Sequence, residues 1–262
     1  MSHTPRKRFG QNFLRDQSVI ANIAKAVSPV ESDHLVEIGP GEGALTEALV
    51  VSGCQLDAIE LDRDLRTRLL AAFSTYPHFT LHSADALAFD FDNLIKAKNP
   101  LRVVGNLPYN ISTPLIFKLL GTAGNIKDMH FMLQREVVER LAAAPGNKEW
   151  GRLGVMAQFQ CEVEHLFDVA PEAFYPPPKV QSAVVRLTPY QISPFPDVDR
   201  EDLSGVVTQA FAQRRKTLRN NFKGALNDAD WEALAIDPTA RAETLAIQDF
   251  IAITHRLSRA IE

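Results

Sequence analysis

From Asp16 onward apolar residues recur at Val19, Ile20, Ile23 and Val27. That is the three-and-four spacing of an amphipathic helix, with Asp16 placed to cap it. The period then changes. HLVEIG (34–39) is a short apolar run ending on glycine and predicts a buried strand, GALTEALVVSG (43–53) predicts a helix stopped by Gly53, and QLDAIELD (55–62) a second strand. The alternation continues with a polar helix over 62–75, strands at FTLHSAD (79–85) and LRVVGN (101–106), a helix from Ser112 to Leu120 and a strand at MHFMLQ (129–134). Strand–helix alternation of this kind implies an α/β protein, a parallel sheet covered by helices on both faces. After a helical stretch from Arg152 to Gln160, strand-like VEHLFDV (163–169) and QSAVVRL (181–187) flank the stiff loop AFYPPPKV (173–180) and suggest an antiparallel edge. TPYQISPFPDVD (188–199) is proline-rich and aperiodic, as a linker is, and only helical patterns follow. The expected division is 1–190 for the sheet-bearing domain and 191–262 for a small helical one.

Composition adds bounds. A chain of 262 residues with 45% apolar content can bury one large core and a small second one. The formal charge of −4 argues against broad, non-specific coating of nucleic acid, so any nucleic-acid site must be local. Cys54 and Cys161 lie far apart, which speaks against a disulfide scaffold and for a reducing compartment. The histidines lack zinc-site spacings, so no metal is expected. No apolar run approaches the roughly 20 residues that span a bilayer, and MSHTPRKRFGQNF has no apolar core of a secretory signal. The expectation is a soluble cytoplasmic protein with no membrane partner, working as a monomer.

One local basic site stands out against this acidic background. Between Gln213 and Lys223 lie Arg214, Arg215, Lys216, Arg219 and Lys223, with no acidic residue among them. At helical spacing Arg215, Arg219 and Lys223 share one face while Leu218 and Phe222 point inward. A second cluster is Arg6, Lys7 and Arg8. A solvated helix face is the plain alternative to a phosphate-binding one.

The first strand runs into Glu37-Ile38-Gly39-Pro40-Gly41-Glu42-Gly43. Glycines at such a junction permit positive φ and close approach of a ligand, although a tight turn alone would use them too. Glu60 ends the second strand, where a carboxylate can accept from ribose hydroxyls, as in nicotinamide and S-adenosylmethionine sites alike. Asp85 ends the third and can accept from an adenine amino group. Either acid alone reads as a surface residue, but together beside the glycine loop they indicate a nucleoside cofactor at Gly39, Gly41, Glu60 and Asp85.

The fourth strand leads into Asn106-Leu107-Pro108-Tyr109. An exocyclic adenine nitrogen is a poor nucleophile because its lone pair is delocalised into the ring. The Asn106 amide oxygen and the Leu107 carbonyl can accept its hydrogens while Pro108 stiffens the turn, and Tyr109 offers a face for a flipped-out base. The alternative is a β-turn with a buried aromatic.

With these residues in view, the sequence resembles the ribosomal RNA adenine N6,N6-dimethyltransferases, and among them the bacterial branch acting on small-subunit RNA. The matching stretches are Phe9-Gly10-Gln11-Asn12-Phe13-Leu14, the glycine loop, Asn106 to Ser112, Phe174-Tyr175-Pro176-Pro177-Pro178-Lys179-Val180-Gln181-Ser182, and Phe211 to Arg219. The resemblance implies a Rossmann-like, seven-stranded S-adenosylmethionine-dependent methyltransferase sheet with a small all-helical C-terminal domain that binds RNA. It implies S-adenosyl-L-methionine as cofactor, S-adenosyl-L-homocysteine as product, and cofactor contacts from Asn12, Leu14, Gly39, Glu60, Asp85 and Asn106. It also implies an active-site wall at Phe174 and a substrate of two adjacent adenines near the 3′ end of small-subunit RNA within a pre-30S particle. Three alternatives remain at this point: a large-subunit methyltransferase of the macrolide-resistance type, a nicotinamide dehydrogenase, and a non-catalytic assembly factor that keeps the fold.

Overall fold

A computed structural model describes residues 11–95, 99–195 and 197–258. The chain forms two compact units, 1–138 with 162–189 and 139–161 with 190–262.

The first unit opens with β1 (Phe13–Leu14) and α1 (Gln17–Val27). Asp16 caps α1, its Oδ1 accepting the N–H of Ser18 at 2.8 Å and of Val19 at 3.2 Å. Then follow β2 (His34–Ile38), α2 (Ala44–Val50), β3 (Gln55–Glu60), α3 (Arg63–Phe73), β4 (Phe79–Ser83), β5 (Leu101–Asn106), α4 (Ser112–Leu120), β6 (Ile126–Gln134) and α5 (Arg135–Ala142). After α6 (Arg152–Gln160) come β7 (Cys161–Val169), β8 (Phe174–Tyr175) and β9 (Ser182–Pro189).

Seven of the strands form one sheet in the order β4-β3-β2-β5-β6-β9-β7. β2 to β6 are mutually parallel and β9 runs antiparallel to β6. β2 is buried at all five positions and β5 at its first five, which is why neither alternates apolar with polar residues as a one-sided strand does. The chain winds outward from β2 through β3 to β4, then returns to lay β5 on the other side of β2. The order therefore reverses between β2 and β5, and the crevice beyond their carboxyl ends is where such a sheet receives a ligand.

The sheet also buries charge. Arg102 on β5 donates from Nε to both Asp128 carboxylate oxygens (3.0 and 3.1 Å), from Nη1 to Asp33 (2.7 Å) and from Nη2 to the Val27 carbonyl (2.6 Å). A buried guanidinium is tolerable because each of its edges is occupied.

The second unit is helical. It contains α6, α7 (Arg200–Ala210), α8 (Leu218–Asn221), α9 (Asp228–Leu234) and α10 (Ile247–Ser258). Segment 139–161 belongs with it through specific contacts: the buried indole of Trp150 donates to the Leu245 carbonyl (2.9 Å), Gly146 N–H donates to Glu243 O (2.7 Å), and Phe159 stacks on Phe195. Asn227 and Asp230 cap α9 reciprocally. Among the described residues no helix is long and apolar enough to cross a membrane, and no group of three or more His, Cys, Asp or Glu is placed to hold a metal ion.

Candidate active site

A cavity of about 280 Å³ opens at the carboxyl ends of β2 to β6. That is near the lower end of small-molecule pockets, roughly 300–1,000 Å³. Gly39, Gly41, Glu60 and Asp85 line it, as do Asn12 and Leu14. So does the whole Asn106–Tyr109 turn.

The glycine loop is built for close approach. Gly39 and Gly41 have φ of +67° and +61°, values that L side chains rarely adopt, and a Cβ on Gly41 would lie 3.1 Å from the Phe13 ring. Glu60 is held beside the loop, its Oε2 accepting from Gly41 N–H (3.3 Å) and its Oε1 from Asp62 N–H (2.8 Å). Burial pushes the Glu60 carboxyl up, against the pull of those two amides. Asp85, two residues beyond β4, is exposed, and its Oδ1 accepts from Leu87 N–H (2.9 Å). This donor set suits a nucleoside: two strand-end carboxylates for hydroxyl and amino groups, beside backbone that carries no side chain.

At the end of β5, Asn106 Nδ2 donates to the Asn12 carbonyl (3.0 Å), which orients the amide and leaves Oδ1 as its acceptor. The turn is anchored by Leu107 N–H to Met132 O (3.1 Å) and by Ile111 N–H to Pro108 O (3.1 Å). The Tyr109 hydroxyl lies 3.0 Å from Ser182 Oγ on β9, and burial raises the phenol above its usual value, so it stays a neutral hydroxyl. Rigid acceptors beside a half-buried aromatic can hold an amino group and the base that carries it.

Segment 11–15 is tied down beside the cavity, which Gln11 to Leu14 line. Gln11 Nε2 donates to Asp62 Oδ2 (3.1 Å), and Arg15 pairs with Glu42 of the glycine loop (3.0 Å) while lying over the Tyr175 ring. β1 pairs antiparallel with β8, matching Phe13 to Tyr175 and Leu14 to Phe174. Two motifs distant in sequence thus form one ribbon. Phe174 does not line the cavity: it is 5% exposed and packs in the apolar core with Leu14, Met132 and Val184.

Two buried polar groups of the cavity escaped the sequence reading. The Glu37 carboxyl is pushed up to about 7, chiefly by burial, and Thr46 Oγ1 donates to it at 2.7 Å. His130 on β6 is 2% exposed. Each is a polar residue inside a run of buried strand positions, a signal that could have flagged both.

The basic residues Arg214, Arg215, Lys216, Arg219 and Lys223 lie in the second unit and are exposed, while Leu218 and Phe222 are buried as their spacing predicts. The continuous helix expected over 213–223 is absent. Thr217 is extended (ψ 163°) and only Leu218–Asn221 is helical. The amides of Leu218 and Arg219 donate instead to the carbonyls of Ala240 and Pro238, so they cannot extend a helix from Arg214. Arg215, Arg219 and Lys223 therefore do not share one helical face. Arg6, Lys7, Arg8, Phe9 and Gly10 lie outside the described residues.

A mixed seven-stranded sheet of this order, with strand-end acids and a polar turn across the switch point, is the S-adenosylmethionine-dependent methyltransferase fold. The sequence pattern of the ribosomal RNA adenine dimethylase family matches residues 2–259, and the chain belongs to that family. It is 56% identical over 256 residues to ribosomal RNA small subunit methyltransferase A of Pseudomonas putida, covering 98% of this chain and 96% of that protein. Two solved structures share the fold across 94% of this chain. One is a dimethyladenosine transferase from Plasmodium falciparum (TM-score 0.79, 25% identity, 98% of that chain). The other is the 23S rRNA methyltransferase ErmE (TM-score 0.73, 26% identity, all of that chain). Membership in this family removes the dehydrogenase alternative.

Proposed function

We propose that this protein transfers methyl groups from S-adenosylmethionine to N6 of two adjacent adenines near the 3′ end of small-subunit ribosomal RNA, leaving N6,N6-dimethyladenosines, as the pre-30S particle assembles in the cytoplasm. The tethered amide of Asn106, facing a cavity that carries Glu60 and Asp85, is the observation that supports it. When bound, the cofactor supplies an electrophilic sulfonium methyl and departs as S-adenosylhomocysteine. Glu60 receives the ribose hydroxyls and Asp85 the adenine amino group. Gly39 and Gly41 admit the ligand to the backbone, and Asn12 and Leu14 cover it. Asn106 Oδ1 and the Leu107 carbonyl accept the two hydrogens of the target amine, so that its lone pair turns out of the ring plane, in a turn held by Pro108. Tyr109 stacks the flipped base, and Phe174 backs the ribbon behind it. The amine's proton becomes acidic only as the methyl arrives, so no strong base is required and water removes it. A sulfonium needs no Lewis acid, so the reading calls for no metal. The chain is read as acting as a monomer.

The small-subunit choice rests on 56% identity to a relative named for that subunit against 26% to the 23S enzyme. Arg214, Arg215, Lys216, Arg219 and Lys223, in the helical unit, are assigned to RNA phosphates. The test is nucleoside mass spectrometry after incubation with labelled S-adenosylmethionine and either small- or large-subunit particles. Dimethyladenosine in small-subunit RNA is expected. Product in large-subunit RNA alone would transfer the protein to the other branch, and cofactor binding with no product in either would favour an assembly role.

A further inference from the structure

His130 is a cavity group with no role in the function proposed above. It sits on β6 opposite Val104, two residues before Met132, which pairs with Asn106. His130 therefore shares the sheet face of Asn106 and lies deeper. The ring is buried and lines the cavity, and its Nε2 makes no hydrogen bond to the protein. Nδ1 is 3.4 Å from Asp128 Oδ1, within ion-pair range but outside hydrogen-bond geometry. A buried polar group left without a partner is costly, of the order of 1–3 kcal/mol, so a cavity ligand that meets this ring is stabilised by it.

The chemistry of that partner follows from two arguments. Burial alone would raise the Asp128 carboxyl, but the His130 and Arg102 contacts together hold it below its usual value, so it is an anion. An anion beside Nδ1 favours the tautomer with the proton there, which makes Nε2 the acceptor. The partner is thus a donor. The order of strands supplies the second argument. If the ribose meets Glu60 at the end of β3 and the adenine meets Asp85 after β4, the nucleoside end lies over β3 and β4. With the reacting sulfonium at Asn106 on β5, the remaining arm is the part of the cofactor free to reach β6.

We propose that His130 is a further cofactor-positioning residue, its Nε2 accepting a hydrogen bond from the methionyl ammonium of S-adenosylmethionine. This rests on the cofactor assignment above. The probes are S-adenosylhomocysteine, which carries the methionyl-derived arm, and 5′-methylthioadenosine, which lacks it. By calorimetry, His130→Leu should weaken S-adenosylhomocysteine by about tenfold or more, the scale of one hydrogen bond to a charged group. It should leave 5′-methylthioadenosine within about twofold, and His130→Gln, which keeps an acceptor, should recover most of the loss. In the unmodified protein, the His130 ring nitrogen resonances should move on adding S-adenosylhomocysteine and stay in place with 5′-methylthioadenosine, a readout that does not depend on any variant folding. Equal losses for both ligands, or unmoved resonances at saturating S-adenosylhomocysteine, would assign His130 a purely structural role and overturn the proposal. Failure of the unmodified protein to bind either ligand would instead overturn the cofactor assignment itself, and this proposal with it.

Discussion

The Asn106 side chain donates one hydrogen bond to the Asn12 carbonyl and lines the cavity, so its two ends have separable consequences. Asn106→Ala removes an acceptor needed only as the amine rehybridises, whereas phosphate contacts supply most RNA affinity. Single-turnover methyl transfer should fall by orders of magnitude while RNA binding changes little, and a near-parental rate would eliminate the mechanism. Glu60→Ala should weaken S-adenosylhomocysteine by about 1–3 kcal/mol in calorimetry, because hydrogen bonds to a charged group are lost; unchanged affinity would take Glu60 out of the site. Glu37 carries a pH signature. Its carboxyl holds a proton up to about 7 when folded, against an ordinary 4.5. Between those values the folded chain binds the extra proton, so this group's contribution to stability falls as pH rises. Glu37→Gln lacks that titration. Its stability relative to the parent should therefore rise from about pH 4.5 to about 7 and level off on either side, by at most about 3–4 kcal/mol at about 1.4 per unit. Thermal melts across this range check it, and a pH-independent difference would refute the burial argument.

At the level of elements, the switch point between β2 and β5 depends on one small residue. A Cβ on Gly105 would lie 2.5 Å from the Ile38 carbonyl oxygen, which is backbone and cannot swing away. Gly105→Ala should therefore force the two strands apart, cost about 1–3 kcal/mol as overpacking does, and weaken the cofactor because Gly39 and Asn106 move with the strands. Gly124→Ala, with nothing within 4 Å of its added Cβ, is the control and should be close to neutral in melting temperature. A neutral Gly105→Ala would mean the sheet is looser there than its register implies. Much of this architecture was legible in the sequence, because β2, β3 and β5 are apolar runs punctuated by glycine or acid, and α1 and α4 have clean periodicity. What was illegible had no period to read. β1 and β8 are two residues each, so only three dimensions reveal that Phe13–Leu14 pairs with Phe174–Tyr175. Helix α5 was missed although Val138 and Leu141 supply a buried i, i+3 pair. The predicted helix through Arg215 failed because partners far along the chain, at Pro238 and Ala240, capture the amides it needed. At the site, the acids and the Asn106 turn could be placed from sequence, but the unpartnered state of His130 depends on tertiary packing.

For the whole molecule, the question is how a chain of formal charge −4 holds a polyanion. The basic residues of the helical unit are not equivalent. Arg219 already pairs with Asp228 at 2.9 Å and Arg214 with Glu243 at 3.4 Å, all four side chains partly or largely exposed. Such pairs are weak, but a paired cation must first give up its carboxylate before its phosphate contact can release counterions from the RNA. Arg215, Lys216 and Lys223 are exposed, and among the described residues none has an acidic partner within ion-pair distance. If these three meet phosphates, each should contribute about 0.7–0.9 to the fall of log affinity with log salt. Replacing all three with Ala should then flatten the slope by roughly two to three units, weaken binding without altering which RNA is preferred, and leave S-adenosylhomocysteine affinity unchanged. Arg219→Ala should flatten it less than Lys223→Ala does, because Asp228 competes with the phosphate for the guanidinium. Binding titrations at four or five salt concentrations read both comparisons. An unchanged slope in the triple variant would move the phosphate contacts off this unit, and Arg6, Lys7 and Arg8 would be the next residues to replace.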